Sequence, residues 1–401
     1  MILDDVRVLD FTQYLAGPTV TRLMAEMGAE IIKVERAPGG DPGRTLPAIK
    51  DGRSAYFVQQ NRGKQSLCLD MGIPGSEAVL LDLVRKVDVV VENYGPGVME
   101  KRGLDYESLR EINPRLIMAS ISAFGRRDSP LSHKTGFDWI AQAFSGLMYM
   151  TGPRGGAPHP TGVGMGDISS GVHAFAALGY ALYHRERTGE GQWIDISMVD
   201  VLFAMHEVTL QAYSTSGGKF QPGRMGSHHT GVCPFGVFQG PQDYIVILAL
   251  DPQWPNLCRA MQQPELEKDP RFEKGSSRMK NQDELIPIIE AWLQSFETDA
   301  EIFELLESHR VPCSPVLSPI DAIDHPYFIE RGMIRSAKDP ILGEVTIPGF
   351  PLRFSAQPEV PDTLAPLLGQ HNGEILERVL GYSSEQITAL ESDGVLAHGD
   401  T

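Results

Sequence analysis

Asp167 ends the run Gly162-Val163-Gly164-Met165-Gly166-Asp167, in which glycine takes every second position up to a single carboxylate. Glycines strip away side chains and let a bulky partner approach the backbone. The apolar stretch that follows, residues 168–187, reads as a long helix. A carboxylate near a helix N-terminus is held ionised by the helix dipole. An ionised, accessible carboxylate is a candidate covalent nucleophile. Asp is also a favoured N-cap, so the residue reads as a helix cap too. Local sequence leaves both readings open.

Other routes to chemistry are missing from the sequence. It has no Gly-x-Ser-x-Gly nucleophile elbow and no Walker-type phosphate loop. The glycines at 162–166 do not form a dinucleotide fingerprint and follow no clear strand. A dinucleotide-dependent oxidoreductase therefore rests on strand–helix rhythm alone. His228 and His229 are adjacent, and neighbours on a strand point apart, which disfavours a metal site. Cys68, Cys233, Cys258 and Cys313 form no closely spaced pair, which argues against zinc or redox motifs and fits a reducing cytosol. No metal and no bound cofactor are expected.

Basic residues gather in loops around the first strands. Arg36 follows an apolar run ending at Val34, and Arg44 lies in the loop Gly39-Gly40-Asp41-Pro42-Gly43-Arg44. Arg62 and Lys64 sit in Asn61-Arg62-Gly63-Lys64, while Lys101 and Arg102 follow Asn93-Tyr94-Gly95-Pro96-Gly97. In an open α/β sheet, ligands bind outside the carboxyl ends of the strands. Cations collected there suit a ligand with several phosphates. Each one taken singly reads as a solvated surface charge.

The elements that position these residues follow from apolar spacing. Strand-like runs at 6–10, 31–34, 66–69, 87–91, 116–120 and 193–197 alternate with helical patterns at 19–27, 74–86, 137–150 and 168–187. That rhythm predicts an α/β fold with a Rossmann-like open parallel sheet and helices on both faces. A further helix is expected at 198–213, strands at 236–238 and 244–247, an amphipathic helix at 285–309 and a strand at 345–347. We therefore expect a large domain over 1–213, a linker at 214–224, a smaller α+β domain over 225–320 and a return segment, 321–401, completing the large domain.

The bulk composition agrees with a soluble multidomain protein. The chain has 401 residues, 42% hydrophobic and 22% charged. A net charge of −17 makes nucleic acid an unsuitable partner. Residues 1–140 carry 18 Lys/Arg against 19 Asp/Glu, and the remainder 17 against 33. The nearly neutral first third is thus where an anionic ligand is expected. No apolar run reaches membrane-span length and the acidic N-terminus lacks a signal pattern, so a cytoplasmic protein without membrane contact is expected.

Several ordered motifs resemble one family. They are Val8-Leu9-Asp10-Phe11 with Ala16-Gly17-Pro18, Met27-Gly28-Ala29-Glu30-Ile31-Ile32-Lys33-Val34-Glu35, and Asn61-Arg62-Gly63-Lys64-Gln65-Ser66 with Leu69-Asp70. Val90-Val91-Glu92-Asn93-Tyr94-Gly95-Pro96-Gly97, Asn113-Pro114-Arg115-Leu116-Ile117 and Arg187-Thr188-Gly189-Glu190-Gly191-Gln192 continue the series. Val311-Pro312-Cys313-Ser314-Pro315-Val316 and Leu380-Gly381-Tyr382-Ser383 close it. As a set they resemble the class III coenzyme A transferases, the CaiB/BaiF or formyl-CoA transferase family, over nearly the whole chain.

The resemblance implies an activity, CoA transfer from an acyl-CoA to a small carboxylic acid, with the CoA thioester as substrate and no resident cofactor. It implies an interlocked homodimer. It puts Asp167 where the family keeps a catalytic aspartate that becomes an aspartyl-CoA thioester. Leu15, Ala16, Arg36, Leu69, Asn93, Tyr94, Lys101, Arg102, Lys134 and Asp138 fall along the implied CoA path. Lys101 stands where formyl-CoA transferase has an arginine, and Lys134 lies one residue from a lysine of that enzyme. Leu15 replaces a gating glutamine, which speaks against oxalate/formate specificity. Asp138 aligns with an acidic residue near the nucleophile and also reads as a helix N-terminal charge. Residues 223–230 align with a glycine-rich loop over the site, or form a linker. Acyl-CoA racemases of the same fold carry a histidine where this chain has Phe137, and phenylalanine cannot shuttle a proton. Arg126, Arg127 and His133 are candidates for holding a second substrate carboxylate.

Overall fold

Six short apolar runs form one parallel sheet: β1 (Arg7–Asp10), β2 (Glu30–Arg36), β3 (Lys64–Leu69), β4 (Val89–Glu92), β5 (Ile117–Ser122) and β6 (Gln192–Ser197). The computed structural model describes residues 1–357 and 363–399. The strand order is β3-β2-β1-β4-β5-β6, with every neighbouring pair parallel. Every residue of β4 is buried, as a sheet covered on both faces requires. The chain begins at the centre with β1, steps outward through β2 and β3, then crosses to β4 on the other side of β1. That reversal opens a crevice beyond the carboxyl ends of β1 and β4.

Helices fill the crossovers: α1 (Ala16–Glu26), α2 (Ala55–Asn61), α3 (Ser76–Val84), α4 (Tyr106–Ile112), α5 (Asp138–Phe144), α6 (Met165–Thr188) and α7 (Met198–Ala204). The returning C-terminal segment covers the β3 edge. Cys68 N–H donates to Asn372 Oδ1 at 2.8 Å, and Ala397 N–H to the Cys68 carbonyl at 3.1 Å. These bonds satisfy an edge that otherwise presents unpaired backbone groups.

Three expected helices are shorter than their apolar patterns. The pattern at 137–150 breaks at Gly146, whose φ of +87° ends α5. The pattern at 198–213 is likewise broken into Met198–Ala204 and Thr209–Thr215, and between them the His206 ring turns to the Ser145 carbonyl at 2.9 Å. The pattern at 285–309 is two helices, Gln282–Leu293 and Asp299–Ser308. Thr298 and Glu301 form a reciprocal capping box that starts the second one afresh.

The chain divides into two units. The first comprises Met1–Gly146, Thr161–His206 and Pro326–Thr401; the second comprises Leu147–Pro160 and Glu207–His325. Residues 214–224, read from sequence as a linker, thus belong to the second unit. That unit holds an antiparallel sheet of β7 (Phe235–Gln239), β8 (Tyr244–Leu248) and β9 (Cys313–Pro315), with β8 central. Phe238, Ile245, Ile247, Trp254, Leu285, Ile289, Ile302 and Leu306 make its core. Among the described residues no helix is long and apolar enough to cross a membrane.

α6 crosses α1 at backbone contact. A Cβ at Gly171 would lie 2.6 Å from the Ala16 carbonyl oxygen and 2.8 Å from the Thr19 Cβ. A main-chain oxygen inside a helix has little room to retreat. Gly171→Ala should therefore destabilise the fold by about 1–3 kcal/mol in denaturant titration, despite a helix-propensity gain of roughly 1 kcal/mol. An unchanged midpoint would refute this packing argument.

Candidate active site

The N-cap of α6 is Gly164, which offers no side-chain cap, and Asp167 sits in the first turn. Asp167 is therefore not the cap. That work falls to Asp138 at the start of α5. Its Oδ1 accepts the Gly166 N–H at 2.5 Å and the Asp167 N–H at 3.2 Å. Its Oδ2 takes the Gln142 amide at 2.6 Å. Two otherwise unpaired helix N–H groups thus meet a buried negative charge. Gly166 has no freedom to be larger, since a Cβ there would lie 2.9 Å from Asp138 Oδ1.

The Asp167 carboxylate is half-buried and accepts no hydrogen bond among the described residues. Burial, and then the Asp138 charge, push its pKa up to about 7. The sequence argument that the helix dipole keeps it ionised is therefore corrected. Asp138 occupies the positive end of the helix, and its own charge offsets the helix field.

Asp167 faces a pocket of about 190 Å³ at the topological switch point. Gln13, Tyr14 and Leu15 follow β1; Asn93, Tyr94, Gly95 and Pro96 follow β4; Ser122 and Ala123 end β5. Lys134 to Phe137 and Met198 complete the wall. Asn93 stitches two of these loops together, accepting the Gln13 N–H and donating to the Gln13 carbonyl, both at 2.8 Å. The Gln13 side chain bonds the Tyr94 phenol, whose pKa burial raises. Leu15 lies against the α6 N-cap, so that a Cβ at Gly164 would sit 2.9 Å from its Cδ2. Tyr14 takes φ +62° and meets the Phe137 ring edge-on at 6.1 Å. A tyrosine in that region carries strain of about 1 kcal/mol or more.

Of the residues named from sequence, Leu15, Asn93, Tyr94, Lys134 and Asp167 share this pocket, with Asp138 directly behind it. Ala16 and Leu69 are buried, and the Leu69 carbonyl is taken by the Ala37 N–H at 3.0 Å. Arg36 is exposed at the carboxyl end of β2. Lys101 and Arg102 lie exposed in the turn after β4, lining a separate depression of about 230 Å³ with Met71.

Half of the expected cation set is turned inward. Arg44 grips Glu35 through two bonds of 2.7 and 2.6 Å. Arg62 pairs with Glu26 at 2.6 Å, and Lys64 with Asp10 at 3.0 Å. Arg62 and Lys64 precede or open β3, so neither follows a strand's carboxyl end. Arg126 also drops out as a substrate ligand, since it binds Glu92 and the Tyr94 carbonyl, each at 2.8 Å. Sequence reading missed Tyr14 and Tyr56. The Tyr56 phenol is raised by burial first and then by the Asp167 charge. It rides on α2, whose pattern is too short to be recognised.

The geometry has close relatives. A family model described as CoA-transferase family III matches residues 3–372. The succinyl-CoA:mesaconate CoA-transferase of Haloarcula hispanica is 40% identical, covering 94% of this chain and 96% of its own. The formyl-CoA:oxalate CoA-transferase of Streptomyces avermitilis is 33% identical, with coverages of 98% and 99%. The crystal structure of a CaiB/BaiF family protein from Brucella suis superposes with a TM-score of 0.81 at 33% identity, over 93% of this chain and 98% of that one.

The raised Asp167 pKa has a thermodynamic consequence. Below pH 4 the group is protonated in both folded and unfolded chains. Between pH 4 and its folded pKa of about 7 the unfolded chain ionises first, so folding stability falls. Above that value the deficit is constant. Asp167→Asn should match the parent below pH 4 and exceed it above pH 7 by on the order of 2 kcal/mol, half the full conversion because solvent reaches the pocket. Equal stabilities at pH 8 would contradict the assigned environment.

Proposed function

The chain belongs to CoA-transferase family III, and we propose that it moves CoA from an acyl-CoA donor to a carboxylic acid through a covalent thioester on Asp167. The observation that carries this reading is a carboxylate with no hydrogen-bond partner among the described residues, facing a small pocket at the sheet's switch point. It is the sole carboxylate among the residues lining that pocket.

In the proposed cycle an Asp167 oxygen attacks the thioester carbonyl. The C–S bond breaks and leaves a mixed anhydride and CoA thiolate. The thiolate attacks the aspartyl carbonyl, freeing the donor acid as its carboxylate and forming the aspartyl-CoA thioester. An acceptor carboxylate attacks that thioester, again giving an anhydride and thiolate. Thiolate attack on the acceptor carbonyl then yields the new acyl-CoA and restores Asp167. No proton is consumed in the sum. Holding the reacting groups together supplies much of the acceleration, since oriented intramolecular reactions gain up to roughly 7–11 kcal/mol. Lys134 at the pocket and Arg36, Lys101 and Arg102 after strands β2 and β4 supply positive charge toward an anionic CoA ester.

The pocket volume favours a small acid. Relatives named for succinyl-CoA with mesaconate and with glutarate support a short dicarboxylic acid as one substrate. The racemase alternative fares worse at the same place. Phe137 has no titratable atom, and Asp138 is tied to backbone N–H groups. Family membership also sets aside the oxidoreductase alternative.

We further propose a homodimer. Ile168, Val172, Tyr180 and Tyr183 expose one apolar side of α6, with Tyr180 77% accessible. An unpartnered apolar band of this kind favours association. Light scattering should return twice the chain mass, and a single-chain mass at micromolar concentration would overturn the proposal.

For the nucleophile, incubation with succinyl-CoA followed by hydroxylamine should place a hydroxamate on the peptide containing Asp167. Asp167→Ala should lose that label and at least roughly a thousandfold of transfer rate. Full transfer by Asp167→Ala would sink the mechanism.

A further inference from the structure

We infer that the Tyr14 ring sets the size limit on the acid that reaches Asp167. The inference rests on the reading of Asp167 as the reacting carboxylate. Its starting point is a backbone outlier. Tyr14 has φ +62°, in the left-handed region that glycine adopts freely and tyrosine avoids. Such outliers persist only where their surroundings over-determine them.

The surroundings here do so from both sides. The Tyr14 N–H donates to Asp41 Oδ1 at 3.2 Å. Asp41 Oδ2 is paired at 2.9 Å with Lys33 Nζ, and both groups are buried. The same ammonium donates to the Thr12 carbonyl at 2.7 Å. The intervening Gln13 is fixed by its two bonds to Asn93. The loop after β1 is thus held by the buried charges beneath it, and the left-handed step turns the residue 14 side chain into the pocket wall.

The ring has no core to fill. It remains 38% accessible, and its aromatic neighbour Phe137 is 67% accessible. The two rings stand nearly perpendicular, at 87°, in the wall of the pocket that holds Asp167. A side chain with two torsions, braced by a second ring, makes a stiff boundary. The pocket's space of about 190 Å³ falls below the ~300–1,000 Å³ of drug-sized ligand sites. The chemistry admitted is therefore a short acid with at most a small substituent. Gem-dimethyl or aryl-substituted acids of equal charge meet the ring. Glycine at this position would relax the backbone and delete the wall together, which separates a selective role from a structural one.

The test uses full-length Tyr14→Gly and Tyr14→Phe with a single short acyl-CoA donor. Acceptors are succinate, 2,2-dimethylsuccinate and phenylsuccinate, compared as ratios of kcat/KM. Tyr14→Gly should raise the bulky-to-succinate ratios about tenfold or more. Tyr14→Phe, which keeps the ring, should leave them within roughly twofold. Tyr14→Asn, whose side chain also tolerates the left-handed region, repeats the comparison if the glycine loosens the loop. Unchanged ratios in Tyr14→Gly and Tyr14→Asn overturn the inference. So does a Tyr14→Phe ratio that moves with the glycine variant, since the hydroxyl would then be the selective group. The hydroxamate assay runs alongside. A label at Asp167 with unchanged ratios defeats the Tyr14 role alone. A missing label defeats the nucleophile, and the inference that rests on it, whatever the ratios.

Discussion

The site depends on one carboxylate that is not the proposed nucleophile. Asp138 accepts the first free N–H groups of α6, Gly166 at 2.5 Å and Asp167 at 3.2 Å. Hydrogen bonds to a charged group contribute about 1.5–3 kcal/mol each, so the clamp fixes where α6 begins and joins it to α5. It also sets the electrostatics. A helix N-terminus left open would favour an ionised Asp167. With a negative charge already seated there, burial governs instead and the Asp167 pKa rises to about 7. The alternating glycines then acquire separate reasons. Gly166 makes room for Asp138 and Gly164 for Leu15, while a Cβ at Gly162 would meet nothing within 4 Å.

A second layer of charge lies beneath the loop that follows β1. Lys33 meets Asp41 at 2.9 Å and Lys64 meets Asp10 at 3.0 Å, all four buried. Thr12 and Thr21 donate to Asp10 at 2.5 and 2.7 Å, which completes its shell. Pairs like these contribute little net stability compared with an apolar core, yet losing one partner costs about 3–5 kcal/mol. Their value is positional. Burial pulls Lys64 down to about 8 while Asp10 opposes the shift. The loop held above it carries Gln13, Tyr14 and Leu15 into the pocket.

The sheet was legible because its signal is redundant. Each of the six strands is a short apolar run bounded by turn residues, and a parallel sheet buried on both faces needs only that. Asn93 and Tyr94 came from the family resemblance, and the switch point where they lie follows from a strand order that the folded chain shows. The cations were harder. Arg44, Arg62 and Lys64 occupy the same kinds of loops as Arg36 and Lys101, and only the folded chain shows that Glu35, Glu26 and Asp10 reach them. Those partners are distant in sequence or on another strand, so no local pattern reports them. The cap was misread for a similar reason. Asp167 is the nearest carboxylate in sequence to the start of α6, but Asp138, 29 residues earlier, is the one that reaches its N–H. Tyr14 left no sequence signal, because a left-handed tyrosine is dictated by tertiary bonds and not by propensity.

Raising the pKa of the proposed nucleophile to about 7 looks self-defeating, since only the ionised form would attack. The magnitudes decide otherwise. At neutral pH a group of that pKa is about half ionised, a loss of roughly 0.4 kcal/mol in the reactive population. A solvated carboxylate would be fully ionised, but it would have to shed its water shell before reaching the thioester. Proximity and prior desolvation together are worth several kcal/mol in oriented systems, an order of magnitude more than the population lost. The same burial destabilises the folded chain at neutral pH, and the clamp by Asp138 is what keeps α6 in place against it. Reactivity and structure therefore pull in opposite directions at adjacent carboxylates, and the division of labour between them resolves the conflict: Asp138 is spent on the helix so that Asp167 can remain unbonded.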